Sequence, residues 1–342
     1  MKIVGFTSLL ESSYGKLPVT STNLLNGMRI SLDDNWYLVG GACRNLGRNP
    51  HRLVNASPEE VDYKILLHAA LLHCSRSTSD RITLSLGFPY STYNIYRGLA
   101  EKYLANKTFK IEYDTSLFKK DGGVDKKFIE IENFEVIPEL AAAVIGLKKY
   151  HKAEEENFLV ISLGFGTTEI GVVSSEGLNK RTVISIPGIQ RCIQNLRDEL
   201  EKENFIGFLT DNQLDDAFIK GSVILNRVPI NLAALKANIL KSFYKEYISD
   251  TIRVKISDRD FERIEKIYVV GGGVHYPELQ AMFNHEFANV MPVEFVKEPD
   301  KIAAAGYYFN SVRMANSGAS GLPVGVDLGN SSTYICTNDE DF

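Results

Sequence analysis

The residues best placed to do chemistry lie near the end of the chain. Val324–Ile335 reads VGVDLGNSSTYI, an apolar strand that delivers Asp327 into a turn of Gly329, Asn330, Ser331 and Ser332. Small residues let backbone N–H groups approach an anion closely, and a carboxylate beside them can hold a hydrated cation. That is phosphate and magnesium chemistry. Alone, an Asp-x-Gly after an apolar run is also an ordinary turn, so the motif needs company.

It has company. Phe158–Val173, FLVISLGFGTTEIGVV, is a strand that starts its turn at Ser162, passes Gly164, Gly166, Thr167 and Thr168, and returns as a second strand. On its own this reads as a β-hairpin with a glycine-rich loop. Lys266–Leu279, KIYVVGGGVHYPEL, is a strand opening into Gly271, Gly272 and Gly273 and then a helix, where bare backbone offers a flat surface to a ligand. Glu132–Leu147, ENFEVIPELAAAVIGL, sets Pro138 and Glu139 at a helix start, where proline and an acidic residue are locally expected. Pro299–Tyr308, PDKIAAAGYY, starts another helix whose alanines permit close packing.

Taken together, the five segments resemble the motifs of the actin, sugar-kinase and heat-shock-chaperone ATPase superfamily. Around the ring, connect-1 is Ile137–Val144, phosphate-2 is Ser162–Thr168, adenosine is Val269–Gly273, connect-2 is Ala303–Gly306 and phosphate-1 is Asp327–Thr333. Phosphate-1 comes first in the family and last here. The chain therefore resembles a circularly permuted actin-like ATPase, opened just after its first β-hairpin. Met1–Leu10, Trp36–Ala42, Tyr63–Leu72 and Ile82–Pro89 are similar to the ParM-type plasmid-segregation actins and their archaeal relatives.

The resemblance implies an α/β fold of two RNase H-like domains with a nucleotide cleft between them, the first β-hairpin lying at the C-terminus. Residues 1–150 with 306–342 would form domain I, with a smaller subdomain near 30–80, and 151–305 domain II. It implies ATP and Mg²⁺ as cofactors. Asp327 would hold the metal mainly through water. Gly329, Asn330, Ser331, Ser332, Ser162, Gly164, Gly166, Thr167, Thr168 and Gly188 would contact phosphates, and Gly271, Gly272 and Gly273 the α-phosphate and nucleoside. Glu139 would orient or deprotonate the attacking water. The expected function is a nucleotide-dependent, filament-forming ATPase, self-associating and served by a DNA-binding adaptor. A weakly hydrolysing scaffold is the alternative, and a small-molecule kinase a third reading.

Two positions depart from the family. Ser162 stands where phosphate-2 usually begins with Asp, and Tyr334 where actin and ParM often have Lys. Losing the first carboxylate implies slow turnover, and the direction of Glu169, just beyond the turn, decides whether it replaces that charge. Asn316–Gly321, NSGASG, has the composition of a flexible linker that returns the chain from a terminal helix to the last hairpin. A rival account has Pro323–Phe342 completing a neighbouring molecule's sheet.

Composition sets the bounds. The 342 residues suffice for two domains, and a formal net charge of -5 gives no general attraction to nucleic acid. No apolar run reaches membrane-spanning length, so a cytoplasmic protein without direct nucleic-acid or membrane binding is expected. Cys43, Cys74, Cys192 and Cys336 are scattered without metal-ligand spacing, and the six histidines form no i, i+4 pair. The remaining pattern predicts strands up to Cys43 and a helix with a capping-box start at Ser57-Pro58-Glu60. It also predicts strands over Ile82–Gly87, Phe109–Tyr113 and Phe128–Val136, a helix over Tyr93–Leu104, and a helical region from Ile189 to about Ser249.

Overall fold

The computed structural model describes residues 1–13, 15, 17, 21–74, 77–105, 107–203, 209–225 and 227–338. Strands β1 (Lys2–Thr7) and β2 (Leu10–Ser12) precede a hairpin of β3 (Arg29–Leu32) and β4 (Asn35–Val39). Its turn is Asp33-Asp34, both left-handed with φ 49 and 62. Gly40, φ 60, ends β4 and turns the chain into helix α1 (Gly41–Leu46). The expected run of strands therefore stops at Val39, and Cys43 is helical.

Helix α2 (Val61–Leu72) is buried on nearly every side, as suits a helix packed within a core rather than on its surface. The capping box expected at Ser57 forms only in half: the Glu60 carboxylate accepts the Ser57 N–H, while the helix itself begins one residue after Glu60. Then come β5 (Ser79–Phe88), α3 (Tyr90–Leu104), β6 (Thr108–Asp114), β7 (Val124–Pro138) and α4 (Glu139–Gly146), which runs on through Leu147–His151 as a π turn.

Next are β8 (Phe158–Leu163), β9 (Thr167–Ser174), β10 (Gly177–Leu178), β11 (Ile184–Pro187), α5 (Gln190–Glu203) and α6 (Asp211–Lys220). Thr210 and Gln213 form a reciprocal capping box at the start of α6. Gly221, φ 69, then terminates that helix, and the β-branched run beyond it folds into a hairpin of β12 (Ser222–Leu225) and β13 (Val228–Asn231). The helical region expected from Ile189 to Ser249 is thus interrupted. It resumes as α7 (Ala233–Phe243), and α8 (Asp250–Lys255), α9 (Asp258–Phe261), β14 (Lys266–Val270), α10 (Pro277–Phe287) and β15 (Val293–Phe295) follow.

Helix α11 (Ile302–Asn316) leads to the terminal hairpin of β16 (Leu322–Leu328) and β17 (Ser332–Thr337). The run expected to be a flexible linker is an ordered turn. Gly318 and Gly321 take φ 101 and 95, and the Ser320 carbonyl accepts from Thr83 Oγ1 and Asn133 Nδ2.

The chain forms two compact units, Met1–Ala153 with Lys301–Phe342, and Glu154–Asp300. Among the described residues the first carries a nine-stranded sheet in the order β1-β17-β16-β5-β7-β6-β3-β4-β2. The second carries β10-β9-β8-β14-β15, with β11 also on β9. One pattern underlies both: an antiparallel hairpin whose first strand is continued by two parallel strands. In the second unit these strands follow one another along the chain. In the first, the hairpin is the last element and β1, paired antiparallel with β17 from Lys2↔Thr337 to Thr7↔Ser332, is the first. The tail hairpin thus completes a sheet of its own chain rather than a neighbour's.

Each unit has its own core. Leu159, Ile161 and Leu163 of β8 face Phe218, Phe243 and Phe283, and Leu84, Leu86, Val324 and Val326 pack with α2 in the first unit. Helices α4 and α11 cross closely within the first unit. A Cβ on Gly306 would enter the Ala142 backbone, and one on Gly146 the backbone of Ile302.

Candidate functional site

The two hairpins share a local design. In β16–β17 the register pairs Leu328 with Thr333 and Asp327 with Tyr334; in β8–β9 it pairs Leu163 with Thr168 and Ser162 with Glu169. Gly329 and Gly164 sit at the same place in the two turns. A Cβ on Gly329 would lie 2.5 Å from the Ser332 carbonyl oxygen, and one on Gly164 would collide with that of Thr167. Only glycine fits at either position.

Both turns are tied from behind through their carbonyls. Ser8, buried after β1, donates its hydroxyl to the Gly329 carbonyl at 2.6 Å and its N–H to the Ser331 carbonyl at 2.9 Å. Its oxygen also lies 3.0 Å from Thr333 Oγ1, which donates because the Ser8 proton is already committed. In the second unit the carbonyls of Gly164, Phe165 and Gly166 accept the N–H groups of Ile189, Gln190 and Gly188 at 2.8–3.1 Å. A Cβ on Gly188 would stand 2.5 Å from the Gly164 and Phe165 oxygens, so that glycine admits the start of α5 against the turn. Peptide dipoles held by their carbonyl ends present their N–H ends outward, which is the geometry of an anion cradle.

Asn330 is held as well. Its Oδ1 accepts the Asn55 N–H at 2.6 Å and its Nδ2 donates to Asn55 Oδ1 at 3.1 Å. Asn55 takes φ 55, a left-handed backbone that asparagine tolerates better than most residues. Neither Ser8 nor Asn55 carries a sequence signal, because each acts across more than 270 positions of chain.

Residues directly opposed in an antiparallel pair share a face, so the register gives Glu169 a definite direction. It lies opposite Ser162 on one side and Ser185 on the other, is 1% exposed, and accepts the Ser185 hydroxyl at 2.7 Å. The carboxylate missing from the first strand of this hairpin is thus present on the facing residue of the second. Thr168 and Thr333, equivalent in the two hairpins, are both fully buried.

Of the three consecutive glycines, two serve packing. A Cβ on Gly271, φ 86, would lie 2.7 Å from the Leu163 carbonyl oxygen, and one on Gly273 2.6 Å from the Leu163 side chain. Only Gly272 opens onto free space. Glu139 is the first residue of α4, after Pro138 at the end of β7, and is half-buried. Within the first unit, the half-buried carboxylate at Asp327 and the hydroxyls at Ser331 and Ser332 beside the glycine-only turn are donors of the kind that hold a hydrated cation next to an anion. Among the described residues no group of three or more His, Cys, Asp or Glu could hold a metal by itself, and no helix is long and apolar enough to cross a membrane.

No protein-family model and no curated protein matches the sequence. Solved structures do. An archaeal actin homolog matches with a TM-score of 0.71 at 17% identity, over 90% of this chain and 92% of its own. A non-polymerisable quadruple mutant of the pCBH ParM matches with a TM-score of 0.72 at 18% identity over the same shares. The chain has the actin-like fold. A ParM in a 15-stranded filament from Clostridium botulinum shares that fold, with a TM-score of 0.69 at 16% identity. The archaeal homolog has also been solved in complex with ADP. On the actin-like fold of this chain, the two hairpins are one structural device used twice, once in each unit.

Proposed function

We propose that this protein is a nucleotide-dependent, filament-forming ATPase that binds ATP with Mg²⁺ through the turns of both hairpins. The observation that carries the reading is the repetition of a glycine-only, carbonyl-anchored turn in each unit of an actin-like fold. Backbone N–H groups of residues 329–332 and 164–168 hold the phosphates, supported by Gly188 behind the second turn. Gly272 receives the nucleoside side, with Gly271 and Gly273 keeping the strand end close to the hairpin. Asp327 orients the water shell of the metal, which when bound neutralises charge on the phosphates.

Glu139 positions the attacking water and accepts its proton, and Glu169 supplies from the second strand the negative charge that Ser162 lacks. Turnover is slow, since the carboxylate reaches the site from a different backbone position. The order of strands in the first unit supports a circular permutation of the actin-like chain, in which the first hairpin has moved to the end. DNA segregation through a separate adaptor is the cellular role that fits a net charge of -5, which disfavours direct contact with DNA.

Pelleting and light scattering with ATP, ADP and no nucleotide test the proposal: assembly that depends on nucleotide is expected. Ser162 supports a second reading, a nucleotide-binding scaffold with little turnover. Single-turnover hydrolysis separates the two, because a scaffold retains bound ATP intact over hours.

A further inference from the structure

We propose that Ser8 is a positioning residue for phosphate binding, its hydroxyl aiming the Asn330 amide of the first-unit turn at the ligand. This rests on the nucleotide reading above and adds to it the one side chain on which the direction of that amide depends. Ser8 is 2% exposed, so it acts through the turn and not on a ligand directly.

A trans peptide is planar, with its C=O and the following N–H pointing in opposite directions. Ser8 Oγ donates to the Gly329 carbonyl at 2.6 Å, so the N–H of Asn330, on the same peptide plane, points away from Ser8. The Ser8 N–H does the same for Ser332 by holding the Ser331 carbonyl at 2.9 Å. The Asn330 N–H has no acceptor among the described residues, which leaves an obligatory donor open to an anion. Thr333 Oγ1 donates to Ser8 Oγ at 3.0 Å, and both hydroxyl residues are buried. Donors in a chain polarise one another, so the Thr333 bond strengthens the one that fixes Gly329.

The second unit supplies an independent comparison. There β11 lies against β9 as β1 lies against β17: Ile186 pairs with Thr168 and Pro187 with Thr167, as Phe6 pairs with Thr333 and Thr7 with Ser332. Gly188 is therefore the counterpart of Ser8. Its N–H donates to the Gly166 carbonyl at 3.1 Å, as that of Ser8 donates to Ser331. The two units differ in what holds the glycine carbonyl of the turn. In the second, Gly164 accepts from the residue after Gly188, the Ile189 N–H, at 3.1 Å. In the first, the N–H after Ser8 is spent elsewhere, Leu9 donating to the Thr7 carbonyl at 2.8 Å, and the Ser8 hydroxyl takes over.

The same carbonyl is thus fastened in both units by different chemical groups. That makes the fastening itself what the turn requires. The converse shows at Thr168, the counterpart of Thr333: with glycine in place of Ser8, its buried Oγ1 has no hydrogen-bond partner among the described residues. In the second unit the peptide direction is set by backbone and is indifferent to side chains. In the first it hangs on one hydroxyl, which a single substitution removes.

Isothermal titration of the full chain with ATP and Mg²⁺, and separately with AMP, tests this in the parent, Ser8→Ala and Thr83→Val. Thr83→Val is the control: it removes a buried hydroxyl that donates to the Ser320 carbonyl, in the same unit but away from the turn. Ser8→Ala should bind ATP about tenfold more weakly than the parent, the loss of one aligned charge-assisted bond, and AMP within about twofold. Thr83→Val should change neither affinity. A merely structural Ser8 would lower Tm in both variants and leave the ratio of ATP to AMP affinity alone. An unchanged ratio in Ser8→Ala overturns the proposal, as does an equal fall in Thr83→Val. Should Ser8→Ala not fold, Ser8→Cys, close in shape with a weaker donor, decides by the same ratio. A parent that binds ATP no more tightly than AMP defeats the nucleotide reading itself, and this proposal with it.

Discussion

Gly329→Ala is the sharpest local probe of the hairpin design. The new Cβ would stand 2.5 Å from the Ser332 carbonyl oxygen, about 0.5 Å inside the shortest separation ordinary side chains tolerate. The turn cannot drift freely, because Ser8 grips it at the Gly329 carbonyl at 2.6 Å and at the Ser331 carbonyl at 2.9 Å. Relief of the clash therefore stretches at least one of those bonds, for a total cost of about 2 kcal/mol from overpacking and one weakened hydrogen bond. A unit of this size absorbs that with a fall in Tm of about 4–8 °C and stays folded at room temperature. The functional effect is of similar size in free energy but reads out directly as affinity. Rotating one amide away from a phosphate removes a charge-assisted hydrogen bond of about 1.5–3 kcal/mol, or roughly 10- to 150-fold in ATP affinity. Calorimetric titration with ATP and Mg²⁺ measures this. Gly98→Ala, in α3 with nothing within 4 Å of the new Cβ, is the control and should bind ATP normally while melting slightly higher. Wild-type ATP affinity in Gly329→Ala would refute the reasoning.

Three further outcomes follow from other parts of the molecule. Gly306→Ala drives a methyl group into the Ala142 backbone where α4 and α11 cross, and should destabilise the first unit by about 3 kcal/mol in urea unfolding; a loss below 1 kcal/mol contradicts the close crossing. Glu139→Gln and Glu169→Gln should each lower steady-state ATP turnover by about 100-fold while leaving ATP affinity within about threefold, and unchanged turnover in either removes that residue from the mechanism. His68, pushed down to about 4 by burial, takes up its proton only after the unfolded chain has done so near 6.5. Its contribution is thus complete above pH 6.5 and is lost as pH falls toward 4, by about 3 kcal/mol, so urea unfolding of His68→Gln should show a flatter acid limb than the parent.

Much of the architecture is written in local pattern. The strand–turn–strand signals around Asp327 and Ser162, the proline ahead of Glu139 and the glycines after Val270 are short-range features, and the corresponding hairpins, helix start and strand end form where the residues require. What the sequence obscured depends on contacts between distant positions. Nothing near Ser8 announces that it anchors the turn at Gly329, and nothing near Asn55 announces its pairing with Asn330. The direction of Glu169 is a matter of register, which the alternation of one strand cannot give without its partner. The β12–β13 hairpin was masked by flanking helices, although Gly221 and the β-branched residues after it carried the signal. The ordered turn at Gly318 and Gly321 has a linker's composition and is fixed only by Thr83 and Asn133 from other elements.

The most direct test of the central claim is a crystal structure of the chain grown with a non-hydrolysable ATP analogue and Mg²⁺. Phosphate oxygens within hydrogen-bond distance of backbone N–H groups in both 329–332 and 164–168, with Asp327 beside the metal's water shell, are the predicted result. A nucleotide bound away from either turn would contradict it.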